Sequence, residues 1–209
     1  MRKISILGGT FNPIHNGHIR LALSCQDELH FDKILIIPTN LPPHKETPNL
    51  CSNKDRFEMC RLAVKDMPIF EVSDVEYRLG GRSYTVNTLQ ALRTEYPDAS
   101  FYLLVGSDMF FTFRQWKRYR DILNACTLVG ASRDFEEHRN LLEMNDSFQR
   151  EGFHTVVIDN DVYVLSSTEL RRLMQEHKDI SQYVHPDVLR YIKEHSLFGG
   201  GLNYDETKR

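Results

Sequence analysis

The chain has 209 residues, 41% of them apolar, and 26 basic against 29 acidic side chains give a net charge of −3. That length fits one substantial α/β domain, and the mild acidity argues against a protein that wraps nucleic acid. No apolar run approaches the roughly 20 residues of a membrane span, and no signal-like segment opens the chain, so a cytoplasmic protein off the membrane is expected.

Taken in order, the chain opens on Ile4-Ser5-Ile6-Leu7, an apolar run that reads as a buried strand. Gly8 and Gly9 are expected to break that strand in a turn that a ligand can approach closely. Asn16 is the expected cap of the helix that follows, from about Asn16 to His30. Lys33–Pro38 is a second strand, apolar throughout as a covered parallel sheet requires. A proline-punctuated loop carrying Lys45 leads to a helix over Asn53–Met67, and Ile69–Val75 reads as the third strand. After Gly80-Gly81-Arg82, a helix opens at Tyr84-Thr85-Val86 with Thr85 as its cap. Phe101–Val105 is a buried strand ending at Gly106-Ser107-Asp108, and Trp116 falls in the next helical region. Cys126–Ala131 and His154–Ile158 are further strands, separated by a polar helix over Glu136–Glu151. Ser166-x-x-Glu169 is a capping box that starts a helix over Ser167–His177. Pro186 opens the last helix, to about His195. A single domain over residues 1–198 is expected, with 199–209 as a flexible tail behind it.

Strands alternating with helices at this spacing predict an α/β fold. Its core would be a Rossmann-like, open and mostly parallel sheet with helices on both faces. Such sheets bind ligands beyond the carboxyl ends of their strands, where the strand order reverses. The glycine turn, the Lys45 loop and Gly106-Ser107-Asp108 all follow strands, so they can meet at one edge.

Two stretches are suited to phosphate. A strand-to-helix turn leaves free N–H groups that favour an anion, and His15 and His18, three residues apart, can both face it. A buried histidine pair without chemistry is the plain alternative. No third ligand is spaced for zinc, and Cys25, Cys51, Cys60 and Cys126 show no CxxC. No metal site of the protein's own is therefore expected, and the thiols should be reduced. In the second stretch, a capped helix start offers the hydroxyls of Ser167 and Thr168, with Arg171 one turn further along the same face. Taken alone, that is also a helix cap beside a surface arginine.

The string Gly9-Thr10-Phe11-x-Pro13-Ile14-His15-x-Gly17-His18 resembles the nucleotidylyltransferase superfamily, whose hallmark tetrapeptide is here His15-Asn16-Gly17-His18. That family usually has Asp where this chain has Asn12. Both residues form turns well, so the geometry is expected to survive. Leu165-Ser166-Ser167-Thr168-x-Leu170-Arg171 is similar to the family's second signature. Three further features resemble the bacterial nicotinate mononucleotide adenylyltransferases: Gly81–Leu89, Trp116, and the closing pattern from Tyr183 to Phe198.

The resemblance implies transfer of an adenylyl group from ATP, with Mg²⁺, to nicotinate mononucleotide, giving deamido-NAD⁺ and pyrophosphate. It implies catalytic roles for His15, His18 and Arg171. Gly8, Gly9, Thr10, Phe11, Lys45, Gly106, Asp108, Ser167 and Thr168 would complete the ATP site. Thr10, Tyr84, Thr85, Trp116 and Arg133 would hold the mononucleotide. Phosphopantetheine adenylyltransferases share the first motif but lack the Tyr84–Leu89 and Trp116 features. A nucleotide sensor without turnover would have no need of His15, His18 and Arg171 together. A class I aminoacyl-tRNA synthetase would need room for an anticodon module. A homo-oligomer is compatible with everything above.

Overall fold

The computed structural model describes residues 2–42, 49–132, 135–158 and 165–199. Lys45, Arg133 and the expected tail beyond residue 199 lie outside the described residues. Among the described residues six apolar runs form strands: β1 (Arg2–Gly9), β2 (Lys33–Pro38), β3 (Phe70–Val72), β4 (Ala99–Gly106), β5 (Thr127–Ala131) and β6 (Thr155–Ile158). They pair in parallel throughout, in the order β3-β2-β1-β4-β5-β6.

Parallel neighbours need long crossovers, and helices supply them. These are α1 (Asn16–Leu29), α2 (Asn53–Ala63), α3 (Val75–Leu79), α4 (Thr85–Glu95), α5 (Ser107–Phe111), α6 (Tyr119–Ala125) and α7 (Phe135–Arg150), and after the last strand come α8 (Ser167–Gln175) and α9 (Pro186–Glu194).

Side chains alternate across a strand, so neighbouring apolar residues feed two separate cores. Ile4, Ile6, Leu35 and Ile37 pack under α3 to α7, against Val75, Leu89, Phe110, Leu123 and Phe148. Leu7, Ile34 and Ile36 pack under the other helices, against Ala22, Cys60, Leu170 and Val188. Covering both faces explains why these strands carry so little polar alternation. Strand order reverses between β1 and β4, and the loops after those two strands flank the resulting crevice.

Three expected elements differ. The strand read over Ile69–Val75 is only three residues long. The carbonyl of Asp74 accepts from Tyr77 and Arg78 at 2.8 and 3.0 Å and turns the chain into α3. Trp116 is not helical: it follows a 3-10 turn over Phe113–Gln115 and is itself extended, with φ −70° and ψ 143°. Asn16 is the first residue of α1, not its cap. Its backbone and side-chain amides are both tied to the C-terminal segment, on Tyr183 O at 2.8 Å and Gln182 O at 3.0 Å.

Candidate active site

The turn after β1 is built differently from its glycine-rich appearance. Gly8 and Gly9 do not break the strand: they stay in β1, paired with Ile37 and Pro38 of β2. Gly9 is required by close approach, because a Cβ there would lie 2.9 Å from the Phe11 ring. The left-handed backbone falls on Phe11 instead, at φ 47°, an uncommon conformation for a bulky residue. Its ring is buried in the core rather than on the cavity wall, and it meets the His18 ring edge-on with centroids 4.9 Å apart. Phe11 therefore supports the site from beneath. The next peptide, Asn12–Pro13, is cis. Asn12 is buried and donates from Nδ2 to Asn49 O, while its Oδ1 accepts from Cys51 N–H, both at 3.1 Å. The amide uses one donor and one acceptor, where a carboxylate would offer acceptors alone.

His15 sits in extended backbone at the start of α1 and is only 5% exposed. Its N–H donates to His18 Nδ1 at 3.2 Å, and the two rings stack with centroids 3.7 Å apart. A ring nitrogen that accepts carries no proton, so neutral His18 holds its proton on Nε2. Burial lowers His15 to about 4. Burial, then the neighbouring His15, holds His18 well below the usual histidine range. Near neutral pH the pair is uncharged, and each ring offers one N–H rather than a cation.

This has a consequence for acid stability. The folded value of His15 lies below its ordinary 6.5, so as pH falls the unfolded chain takes the proton first. Stability from this group is intact above about pH 6.5 and falls by about 3 kcal/mol as pH drops to 4. His15→Asn should lack that loss, and thermal melts of the two proteins between pH 7 and 4 should converge on the acid side. Parallel melting curves would contradict the assignment.

The second half of the site comes from α4 and α5. Ser52, Ser166 and His185 cap α2, α8 and α9, but no side chain caps α4 or α5. Tyr84, not Thr85, occupies the cap position of α4, and no side chain takes the first N–H groups of the helix. Asp108 lies in the first turn of α5. Trp116 is half-buried against Phe113, with centroids 4.8 Å apart.

A cavity of about 600 Å³ opens between these elements. Gly8, Gly9, Thr10, His15, His18, Tyr84, Thr85, Gly106, Asp108 and Trp116 all line it, so ten of the expected site residues come together. Ser167, Thr168 and Arg171 lie beside the first turn rather than on the cavity wall. Ser167 Oγ donates to Pro13 O at 2.8 Å, Arg171 Nη1 donates to Asn12 O at 2.7 Å, and its Nη2 donates to Thr168 Oγ1 at 3.1 Å. Ser166 caps α8 as expected, accepting from Glu169 N–H at 3.0 Å. The start of α8 thus props the turn that carries the histidines.

The sequence reading missed three residues. Arg56 is fully buried. It donates from Nε to Cys51 O at 3.2 Å, from Nη1 to Thr10 O at 2.9 Å and from Nη2 to Asn40 O at 3.3 Å, with Asn53 Oδ1 as a further acceptor. Its signal was present: it shares the apolar helical stripe of Met59, Cys60 and Ala63. Glu76 is 8% exposed on the cavity wall and accepts from Thr88 Oγ at 2.8 Å, and burial pushes its carboxyl up. Lys117 lines the cavity with its Nζ 3.9 Å from the centre of the Tyr84 ring, and no motif marks it.

Comparison with known proteins places the chain in a family. The cytidylyltransferase-like family matches residues 6–173. A probable nicotinate-nucleotide adenylyltransferase from Geotalea daltonii is 36% identical, covering 95% of this chain and 99% of its own. One of the same name from Oceanobacillus iheyensis is 38% identical, covering 97% and 100%. A solved Plasmodium falciparum nicotinic acid mononucleotide adenylyltransferase, complexed with NaAD, superposes with a TM-score of 0.77. It is 20% identical over 97% of this chain and 100% of that one, a likeness of fold. The chain belongs to the cytidylyltransferase-like family, and within it to the nicotinate-nucleotide adenylyltransferases.

Proposed function

We propose that the protein joins ATP to nicotinate mononucleotide, forming deamido-NAD⁺ and releasing pyrophosphate. The observation that carries this reading is one cavity with a neutral histidine donor pair at one side and, at the other, the uncapped start of α4 beside Trp116. A phosphate oxygen of the mononucleotide attacks the α-phosphorus of ATP, and the bond from that phosphorus to the bridging oxygen of the β-phosphate breaks. The attacking phosphate is already ionised, so no general base and no covalent protein intermediate are needed. Catalysis is then positioning and charge stabilisation.

In this reading His15 and His18 donate to the α- and β-phosphate oxygens, and the bare backbone of Gly8 and Gly9 lets the nucleotide approach. Gly106 and Asp108 hold the adenosine ribose. Lys45, Ser167, Thr168 and Arg171 hold the triphosphate, while Thr10, Tyr84, Thr85, Trp116 and Arg133 take the mononucleotide. Among the described residues no group of three or more His, Cys, Asp or Glu is placed to hold a metal ion. Mg²⁺ is assigned to the substrate, where on the phosphates of ATP it would screen the leaving pyrophosphate. Four unpaired cysteines support a cytoplasmic setting.

Arg171→Ala should lower kcat/KM for ATP by about 10- to 100-fold, because a charge-assisted contact to phosphate is lost in ground state and transition state alike. An unchanged KM and rate would remove Arg171 from the site. The reading as a whole is tested by product identity. The protein is incubated with ATP and Mg²⁺ and, separately, nicotinate mononucleotide, nicotinamide mononucleotide or phosphopantetheine, and the products are weighed by mass spectrometry. Deamido-NAD⁺ is the expected main product, and a product from phosphopantetheine alone would overturn the reading.

A further inference from the structure

The turn that presents Tyr84 and Thr85 takes its position from residues outside it. Gly80 and Gly81 both have positive φ, at 66° and 63°. A stretch with that backbone freedom needs external contacts to hold one position. The contacts come from the end of β2 and centre on Asn40. Its backbone N–H donates to Ser83 Oγ at 2.9 Å and its Nδ2 donates to Gly81 O at 2.8 Å. Beside it, Ser83 N–H donates to Leu41 O at 3.0 Å, and Leu41 and Arg82 form a parallel bridge.

The remaining groups of Asn40 face the other way. Its Oδ1 accepts from Asn53 Nδ2, and its carbonyl accepts from Arg56 Nη2 at 3.3 Å. Arg56 in turn holds the Thr10 carbonyl at 2.9 Å. Every polar group of Asn40 is therefore engaged, and one residue joins α2, the β2 end and the turn before α4. Only an amide of this length can donate to Gly81 while accepting from Asn53. An aspartate would set an acceptor against the Gly81 carbonyl.

We propose that Asn40 is a positioning residue for the pyridine end of the mononucleotide site. It fixes the uncapped start of α4 relative to α2 and to the Thr10 turn. This rests on the function proposed above. Donors aimed at a ligand must be held within about 0.5 Å of their working geometry, and the Asn40 junction supplies that constraint where the two glycines do not.

The test uses the full chain carrying Asn40→Asp or Ser83→Ala, with KM for each substrate, the ratio of kcat/KM for acid and amide mononucleotides, and melting temperature. Asn40→Asp should raise KM for nicotinate mononucleotide about tenfold and reduce the acid preference, while KM for ATP stays within about twofold. Ser83→Ala removes one acceptor and should move the same quantities about threefold. Equal rises in both KM values would overturn the proposal, as would a lower melting temperature with both KM values intact. If Asn40→Asp does not fold, an unchanged mononucleotide KM in Ser83→Ala overturns it. A native protein inactive toward nicotinate mononucleotide would instead count against the proposed function.

Discussion

Replacing His18 with alanine is expected to lower kcat by about 10²–10³, with little change in KM for ATP. The expectation follows from how the ring is held. Its Nδ1 is occupied by the His15 N–H, its face is covered by the His15 ring, and Phe11 meets it edge-on. One proton remains, on Nε2, and the ring has no freedom to aim it elsewhere. A fixed donor in a dry site stabilises charge that develops on the phosphates more than a mobile donor in water could. Because burial keeps the ring neutral, its contribution to ground-state binding of the ATP anion is small. A His18→Ala protein with near-native turnover would show that the transferred phosphate does not meet this ring.

Arg56→Met should destabilise the fold by about 3 kcal/mol or more. Methionine fills much of the same volume, so the cost is chiefly electrostatic. Three backbone carbonyls, of Thr10, Asn40 and Cys51, lose their buried donor together. Each unsatisfied group costs about 1–3 kcal/mol, partly recovered if water enters. In urea the midpoint should fall while the slope stays constant, as for a change in stability rather than in denatured-state compactness. A loss below about 1 kcal/mol would show that the carbonyls regain partners and that the guanidinium is dispensable.

The sheet was legible because both of its faces are covered. Ile34–Ile37 and Phe101–Val105 are apolar without alternation, which points to a parallel α/β sheet before any topology is known. Local chemistry was legible where it lay within one turn of helix, as in the Ser166 cap on Glu169 N–H. It failed where a residue's role is set by something distant. Gly8 and Gly9 looked like a turn, yet Gly9 is small because a ring two residues ahead folds back on it. The run Ile69–Val75 looked like a strand throughout, yet Asp74 starts a helix inside it. Asn40 carried no signal of its own and Ser83 was marked only as part of the Gly81–Leu89 string, because the hydrogen bond that joins them spans 43 residues with no periodic trace. Lys117 was invisible for the same reason, since its place beside Tyr84 depends on how two loops meet.

The most direct measurement compares kcat/KM for nicotinate mononucleotide and nicotinamide mononucleotide in the native protein. A carboxylate accepts only, whereas the isosteric amide must also place two donors. The uncapped start of α4 is a set of donors whose dipole favours an anion, and the Lys117 ammonium beside Tyr84 adds to that field. Trp116, stacking on the ring, would hold acid and amide alike. An amide facing those donors loses about 1–3 kcal/mol for each bond left unmade. An acid preference of about 10- to 100-fold is expected. Equal kcat/KM for acid and amide would contradict it, because the start of α4 would then not be the carboxylate pocket.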